Sequence, residues 1–205
     1  MHHFIAEKTL HSLDHRHRLA SCGLPNIGVQ VAIMRADGTL AGDNEPGEIV
    51  TRSPAVMDGY WHREKETAEA CAGDWLHTGD LGYRDGDGFY YIVGRAKEII
   101  ISGGFNIYPK EIEDLIAEHP SVKDVAVIGV PDSDWGEAVK AFVVLHTGAA
   151  LDATALARII RERKGSVCVP KSFEEIDAIP VTAVGKPDKK ALRARYWDGQ
   201  PRAVA

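Results

Sequence analysis

The stretch Gly94–Glu113 contains residues whose types and spacing could act on a phosphorylated ligand. Two cations, Arg95 and Lys97, precede an apolar run, and the pair Gly103 and Gly104 follows it. Because glycine has no side chain, the backbone there can turn sharply or let another molecule approach closely. The same pattern also fits an ordinary strand–loop–helix unit with a solvated arginine and lysine, and composition alone favours that simpler interpretation.

The apolar pattern around this stretch predicts the elements that would hold it. Three successive isoleucines favour a buried strand over residues 98–102. Pro109 suits the first position of a helix, whose apolar residues recur at helical spacing over residues 109–118. Asp152 is a good N-cap for a later helix. Downstream we predict strands at 123–129, 139–146 and 173–179 and helices at 153–164 and 188–196.

The residues before Gly94 have a different pattern of residue types and are predicted to be mostly β. Its clearest element is the hairpin Tyr83–Val93, in which aromatic-rich arms flank the turn Asp85–Gly88. Earlier we predict strands at 29–33 and 48–52 and a short charged helix at 63–71.

The change in composition and in predicted elements near residues 95–97 predicts a boundary between a domain of residues 1–95 and a domain of residues 96–205. The fold class is therefore predicted to be α+β. The order of elements in the second domain would also suit a ferredoxin-like arrangement.

Length and charge exclude several classes of protein. A chain of 205 residues can bury a core, and its net charge of −6 gives no reason to expect nucleic-acid binding. No apolar run approaches the roughly 20 residues of a membrane span, and the first residues do not resemble a secretory signal. The sequence therefore predicts neither a nucleic-acid partner nor a membrane span.

The cysteines and histidines show no pattern of a metal site. Cys22, Cys71 and Cys168 are odd in number and widely spaced, which fits free thiols in a reducing cytoplasm. Five histidines crowd the first 17 residues, but their spacing matches no common ligand set. A solvated start to the chain is the simpler interpretation, and no metal ligands are predicted.

Three stretches, taken together, resemble motifs of the adenylate-forming enzymes, which include acyl-CoA synthetases, luciferases and peptide-synthetase adenylation domains. His77–Leu81 resembles the Thr-Gly-Asp motif, Gly94–Glu113 resembles the linker and first lid elements, and Pro180–Lys186 resembles the motif of the catalytic lysine. Each motif alone is weak, but the three occur in the family's order and at similar spacing. The resemblance covers nearly the whole chain from Leu19 onward.

The resemblance assigns Asp80, Arg95 and Lys97 to the nucleotide side and the hinge. A carboxylate such as Asp80 can accept two hydrogen bonds from the vicinal hydroxyls of a ribose, although an Asx-type turn residue is the alternative. By resemblance Arg95 contacts the ribose and phosphate, with a surface ion pair to Glu98 as the alternative. Lys97 matches the hinge about which the lid changes orientation.

The resemblance places the other site residues in the lid. Gly103 and Gly104 match the glycines that line the pantetheine tunnel of CoA, and Lys171 resembles an element near the CoA nucleotide. Lys186 matches the lysine that bridges the substrate carboxylate and the α-phosphate of ATP, where a cation on a long stem can neutralise developing charge. Val181 departs from the family, because many members carry Arg or Lys there.

Two family elements do not occur in this sequence. One is the phosphate loop rich in Gly, Ser and Thr, and the other is the aromatic-Gly-x-Thr-Glu segment. The resemblance therefore implies the C-terminal portion of an acid–CoA ligase that uses ATP, CoA and Mg²⁺ when complete, acts on a fatty or aryl carboxylic acid, and is inactive alone. We expect self-association or a missing N-terminal portion.

The resemblance also refines the expected fold and leaves two other functions open. The first domain is expected to be a partial distorted barrel, and the second a small α/β lid with a central sheet and flanking helices. One alternative function is a non-catalytic module that binds a nucleotide, CoA or a protein. The other is half of a split ligase.

Overall fold

The computed structural model describes residues 4–5 and 18–197, and the chain divides into two compact units, Met1–Ala96 and Lys97–Ala205. The helices are Glu64–Ala70 (α1), Pro109–Ala117 (α2), Ala153–Lys164 (α3) and Lys189–Arg193 (α4). The strands are Phe4–Ile5 (β1), Leu24–Pro25 (β2), Gln30–Met34 (β3), Gly47–Arg52 (β4), Leu76–Arg84 (β5), Tyr90–Arg95 (β6), Ile100–Ser102 (β7), Phe105–Ile107 (β8), Val122–Asp132 (β9), Gly136–Leu145 (β10) and Ser172–Glu175 (β11). The N-terminal histidines, His2, His3, His11, His15 and His17, lie outside the described residues.

The first unit is built on an antiparallel sheet in the order β3-β4-β5-β6, with a separate pair of strands β1 and β2. The aromatic-rich hairpin is confirmed as β5 and β6, and the predicted short helix is α1. The four strands remain an open sheet, and no closed barrel is formed by the part of the chain that the structure describes.

Apolar side chains on one face of this sheet form its core. Ile33, Ile49 and Tyr90 are buried together, and the Tyr90 hydroxyl donates a hydrogen bond to the carbonyl of Val31 at 2.6 Å. The β5–β6 contact is close at Gly82, where a Cβ would overlap the carbonyl oxygen of Tyr91. The register of β5 against β6 therefore needs a residue without a side chain at that position.

The second unit has a five-stranded sheet built around the long strand β10. One neighbour of β10 is antiparallel β9, and β11 pairs with it in parallel, while β7 joins it at Gly136 and carries β8. Because β9 pairs only with β10 among the described strands, its other edge lies open to side chains. The combination of this sheet with helices confirms the predicted α+β class.

The alternation of side chains along β9 and β10 gives the sheet two apolar faces. On one face Val127, Val143 and their neighbours pack with apolar residues of α2 and α3. On the other, Ile128 and Phe142 pack with Ile179 and with Leu192 of α4. Both faces are thus covered, which explains the apolar runs at residues 125–128 in β9 and 141–145 in β10.

The structure differs from the predicted elements in several places, and the helix predicted at 188–196 ends already at Arg193. Residues 96–98 form a short 3-10 helix, so the strand predicted from residue 98 begins only at Ile100. An unpredicted strand, β8, follows because Gly103 and Gly104 adopt φ of 57° and 82° and reverse the chain. The strand predicted at 173–179 ends at Glu175, where its pairing with β10 ends.

Further sequence predictions concern the cap of α3, the cysteines and membrane-spanning helices. Asp152 caps α3 as predicted, accepting a hydrogen bond from the amide of Ala155 at 2.9 Å. The three cysteines are free thiols. Among the described residues, no helix is long and apolar enough to cross a membrane.

The close approach at Gly82 can be tested with a matched glycine of the same hairpin. Gly82→Ala should lower the free energy of unfolding of the first unit by about 1–3 kcal/mol, because the new methyl overlaps the β6 backbone. Gly86→Ala, where a Cβ meets nothing within 4 Å, should change it by less than about 0.5 kcal/mol. Urea unfolding measures both, and equal midpoints for the two variants would contradict the packing described here.

Candidate functional site

Asp80 and Arg95 meet across two neighbouring strands of the first unit. They are register partners in β5 and β6, and the Arg95 Nε lies 2.9 Å from the Asp80 Oδ1. The Arg95 side chain is 61% exposed and the Asp80 side chain 27% exposed, so the pair contributes little to stability. A guanidinium has five N–H donors and a carboxylate several acceptor positions, so the pair can still bind a ligand rich in hydroxyls and phosphate.

The segment of β5 that carries Asp80 is irregular, and side-chain hydrogen bonds add to its strand pairing. Gly79 has φ of 72°, and its amide donates to the Glu48 Oε1 at 2.9 Å. The other oxygen of Glu48 lies 2.7 Å from the Nδ1 of His77. Thr78 donates its hydroxyl to the carbonyl of Ile49 at 2.6 Å and accepts from the amide of Asp80 at 3.1 Å. These contacts fix the position of Asp80 and the direction of its side chain.

Gly103 and Gly104 differ in what surrounds them, although both lie in the β7–β8 turn. The amide of Gly103 donates to the carbonyl of Trp135 at 2.9 Å, and a Cβ on Gly103 would overlap the Trp135 ring. A Cβ on Gly104 would meet nothing within 4 Å. The turn therefore places a bare backbone on the face of an indole and leaves open space at the next residue.

Lys171 joins the same group of residues. Its ammonium lies 2.7 Å from the Asp132 Oδ2 and 5.5 Å from the centre of the Trp135 ring. That ammonium, with the amides of Asp134 and Trp135, holds the pKa of Asp132 below its ordinary value. A cavity of about 170 Å³ is lined by both Trp135 and Lys171. A flat ring, a cation and a glycine turn beside a cavity can bind a thin, partly anionic ligand.

Lys186 lies on a small hairpin of residues 180–188, which we call the Lys186 hairpin. Thr182 closes it: its amide donates to the carbonyl of Lys186 at 2.8 Å and its hydroxyl accepts from the Lys186 amide at 3.2 Å. Gly185 has φ of 77° at the tip. Lys186 itself is exposed, so its ammonium is presented to solvent on an ordered loop.

The segment around Lys97 corrects one alternative from the sequence. Lys97 is exposed in the middle of the short 3-10 helix. The alternative pairing of Arg95 with Glu98 is wrong, because Arg95 pairs with Asp80 and Glu98 pairs with Lys189 at 2.8 Å.

The structure thus places Asp80 beside Arg95. It groups Gly103 with Trp135 and Lys171. Lys186 lies on its own hairpin. The roles of Glu48 and Asp132 could not be predicted from the sequence, because a carboxylate that supports a distant segment leaves no local pattern. The contact of Trp135 with Gly103 depends on the pairing of β7 with β10, which are distant in sequence.

The described residues do not form a metal centre. No group of three or more histidine, cysteine, aspartate or glutamate side chains among residues 4–5 and 18–197 is placed to hold a metal ion. The residues that could bind a ligand are instead cations, one carboxylate and glycine backbone.

Comparison with known proteins agrees with the geometry. A family model described as the AMP-binding enzyme C-terminal domain matches residues 111–186, and one described as AMP-binding enzyme matches residues 3–61. The medium/long-chain fatty-acid–CoA ligase FadD8 of Mycobacterium tuberculosis is 48% identical over 91% of this chain and 34% of that protein. This chain therefore spans about a third of the length of that relative.

Two solved structures share the fold. The amide bond synthetase McbA of Marinactinospora thermotolerans is 40% identical, with a TM-score of 0.84 over 89% of this chain and 38% of that one. The o-succinylbenzoate CoA synthetase of Bacillus subtilis, in complex with its acyl-adenylate intermediate, is 37% identical, with a TM-score of 0.80 over 86% and 36%. The chain therefore belongs to the AMP-binding, adenylate-forming enzyme family.

Proposed function

We propose that this chain supplies the C-terminal third of an ATP-dependent ligase that joins a carboxylic acid to CoA. The observation that carries the proposal is Lys186, an exposed lysine on an ordered hairpin at the end of the segment that matches the AMP-binding enzyme C-terminal domain. The relatives named as fatty-acid–CoA ligase and o-succinylbenzoate CoA synthetase support a fatty or aryl acid as substrate.

In the first half-reaction, a carboxylate oxygen of the acid attacks the α-phosphorus of ATP, and pyrophosphate leaves with the electrons of the broken P–O bond. Asp80 accepts hydrogen bonds from the ribose hydroxyls, and Arg95 donates to the ribose and phosphate side. The Lys186 ammonium lies between the substrate carboxylate and the α-phosphate, where it offsets the negative charge that builds up at phosphorus.

In the second half-reaction, the CoA thiol loses its proton to solvent and its sulfur attacks the acyl carbonyl carbon of the acyl-adenylate, and AMP leaves with the electrons of the C–O bond. The bare backbone at Gly103 and Gly104 admits the thin pantetheine arm, and Lys171 attracts the anionic nucleotide end of CoA. Lys97 is the hinge at which the lid changes orientation between the two steps. Mg²⁺ can assist phosphoryl chemistry, but the described residues offer no cluster to hold it.

The proposal can be tested in an enzyme assembled from this chain and the part of the Mycobacterium tuberculosis relative that it does not match, which we call the assembled ligase. It should catalyse acid-dependent exchange between ATP and pyrophosphate, whereas this chain alone should not. Lys186→Ala should lower the exchange rate by about 10²–10³, because a preorganised charge at the reacting phosphorus is lost.

Lys190→Ala provides the matched control, since Lys190 is an exposed lysine four residues further along. It should leave the exchange rate nearly unchanged. Exchange that survives Lys186→Ala as well as it survives Lys190→Ala would remove Lys186 from the reaction. Amide formation without thioester formation, when amines and CoA are offered together, would contradict CoA as the acceptor.

The second half-reaction should depend on the contact between Gly103 and Trp135. Gly103→Ala and Gly104→Ala both place a side chain at positive φ, but only the first displaces the indole ring. Gly103→Ala should therefore raise the KM for CoA about tenfold more than Gly104→Ala, since displacing a packed group costs about 1–3 kcal/mol. Steady-state thioester formation from pre-made acyl-adenylate measures the difference, and equal KM values would show that the ring is not involved.

A further inference from the structure

Lys189 carries an ammonium in a largely enclosed place at the foot of the Lys186 hairpin. Its side chain is 11% exposed, and its Nζ lies 2.8 Å from the Glu98 Oε2 and 2.8 Å from the Glu113 Oε1. Glu113 is enclosed to a similar degree, at 12%, and Glu98 is 30% exposed. One lysine thus pairs with two carboxylates that lie far from it in the sequence.

Glu113 also connects this ion pair to the sheet. Its Oε1 accepts a hydrogen bond at 2.7 Å from the amide of Val127, which lies in β9. Because β9 has no second strand partner among the described residues, this amide would otherwise be an unpaired donor at a sheet edge. The α2 carboxylate therefore binds the strand edge with the same oxygen that binds Lys189.

The other end of this network reaches the Lys186 hairpin. Asp188 caps α4 by accepting from the amide of Ala191 at 3.0 Å, and its own amide donates to the carbonyl of Pro180 at 2.7 Å. Lys189 is therefore the first residue after the hairpin closes. Contacts that hold the Lys189 side chain in place therefore also hold the base of the Lys186 hairpin.

Glu98 extends the network to the proposed hinge, because it directly follows Lys97 in the same 3-10 helix. An ion pair this enclosed is sensitive to the loss of one partner, since the remaining charges stay behind without compensation. Removing Lys189 would leave two carboxylates close together beside the β9 edge. The two ion pairs thus strongly favour a single position of the Lys189 ammonium.

We propose that Lys189 is a positioning residue that holds the Lys186 hairpin against α2, β9 and the turn after Lys97. In this arrangement the reacting lysine and the hinge belong to one rigid body, so that a rotation at Lys97 carries the Lys186 ammonium with it. The role assigned to Lys186 rests on the proposed function, whereas the anchoring of the hairpin does not.

The anchoring can be tested on the 205-residue chain by hydrogen exchange, without any assay of activity. Lys189→Met should accelerate exchange at the amides of Thr182, Gly185 and Asp188 by about tenfold or more, because local opening no longer breaks an enclosed ion pair. The amides at the centre of β10 should keep their protection. Lys190→Met, on the exposed side of the same helix, should change neither set.

Two further variants separate anchoring from a general loss of structure. Lys189→Arg keeps the charge and should restore most of the protection in the Lys186 hairpin. Glu98→Gln removes only the more exposed partner and should give a smaller change in the same direction. Unchanged exchange in the hairpin of Lys189→Met, or equal acceleration in the hairpin and in β10, would overturn the proposal.

The consequence for catalysis can be measured separately in the assembled ligase. Lys189→Met should lower the kcat of pyrophosphate exchange about tenfold, through mispositioned charge, with little change in the KM for ATP. Thioester formation from pre-made acyl-adenylate should be largely retained, and equal loss in both half-reactions would contradict the role of positioning Lys186. Absence of exchange in the unsubstituted assembled ligase would reject the proposed function, while the hydrogen-exchange result would still decide whether Lys189 anchors the hairpin.

Discussion

The ion pair between Asp80 and Arg95 depends on the register of β5 against β6, which shifts by one residue at an irregularity between Leu81 and Gly82. A slip of one strand by one residue would put the two side chains on opposite faces of the sheet. The close backbone contact at Gly82 lies between β5 and β6, and the Glu48 contacts to His77 and Gly79 hold the segment of β5 that carries Asp80 against β4. The pair adds little stability itself, and the surrounding contacts position the two residues that we propose to bind the nucleotide.

In the proposed function, the second unit must present both Lys186 and the Gly103–Gly104 turn from one small sheet. Lys186 emerges between Ile179 and Leu192, which pack on the face covered by α4. The Gly103–Gly104 turn instead joins β7 and β8, whose isoleucines belong to the face covered by α2 and α3. Groups that leave from separate elements of a rigid lid can serve successive steps of a reaction when the lid changes orientation.

The sequence predicted those parts that depend on local pattern. Spacing and residue type predict the aromatic hairpin, the cap of α3 at Asp152 and the α+β class. The three motifs predict the candidate site residues. The strand β8 was missed because three residues give no periodic signal. The contact of Lys189 with Glu98 and Glu113 was missed because it joins positions up to 91 residues apart, which only tertiary packing brings together.

The most direct test of this account is whether Asp80 binds the ribose hydroxyls of an acyl-adenylate. Binding of an unreactive acyl-adenylate analogue and its 2′,3′-dideoxy counterpart would be compared in the assembled ligase, in Asp80→Ala, and in Asp43→Ala, which removes another arginine-paired aspartate of the same unit. Loss of the hydroxyls should weaken binding about 10–100-fold in the unsubstituted ligase and in Asp43→Ala, since hydrogen bonds to a charged group are at stake, and hardly at all in Asp80→Ala. An equal loss in all three proteins would contradict the account.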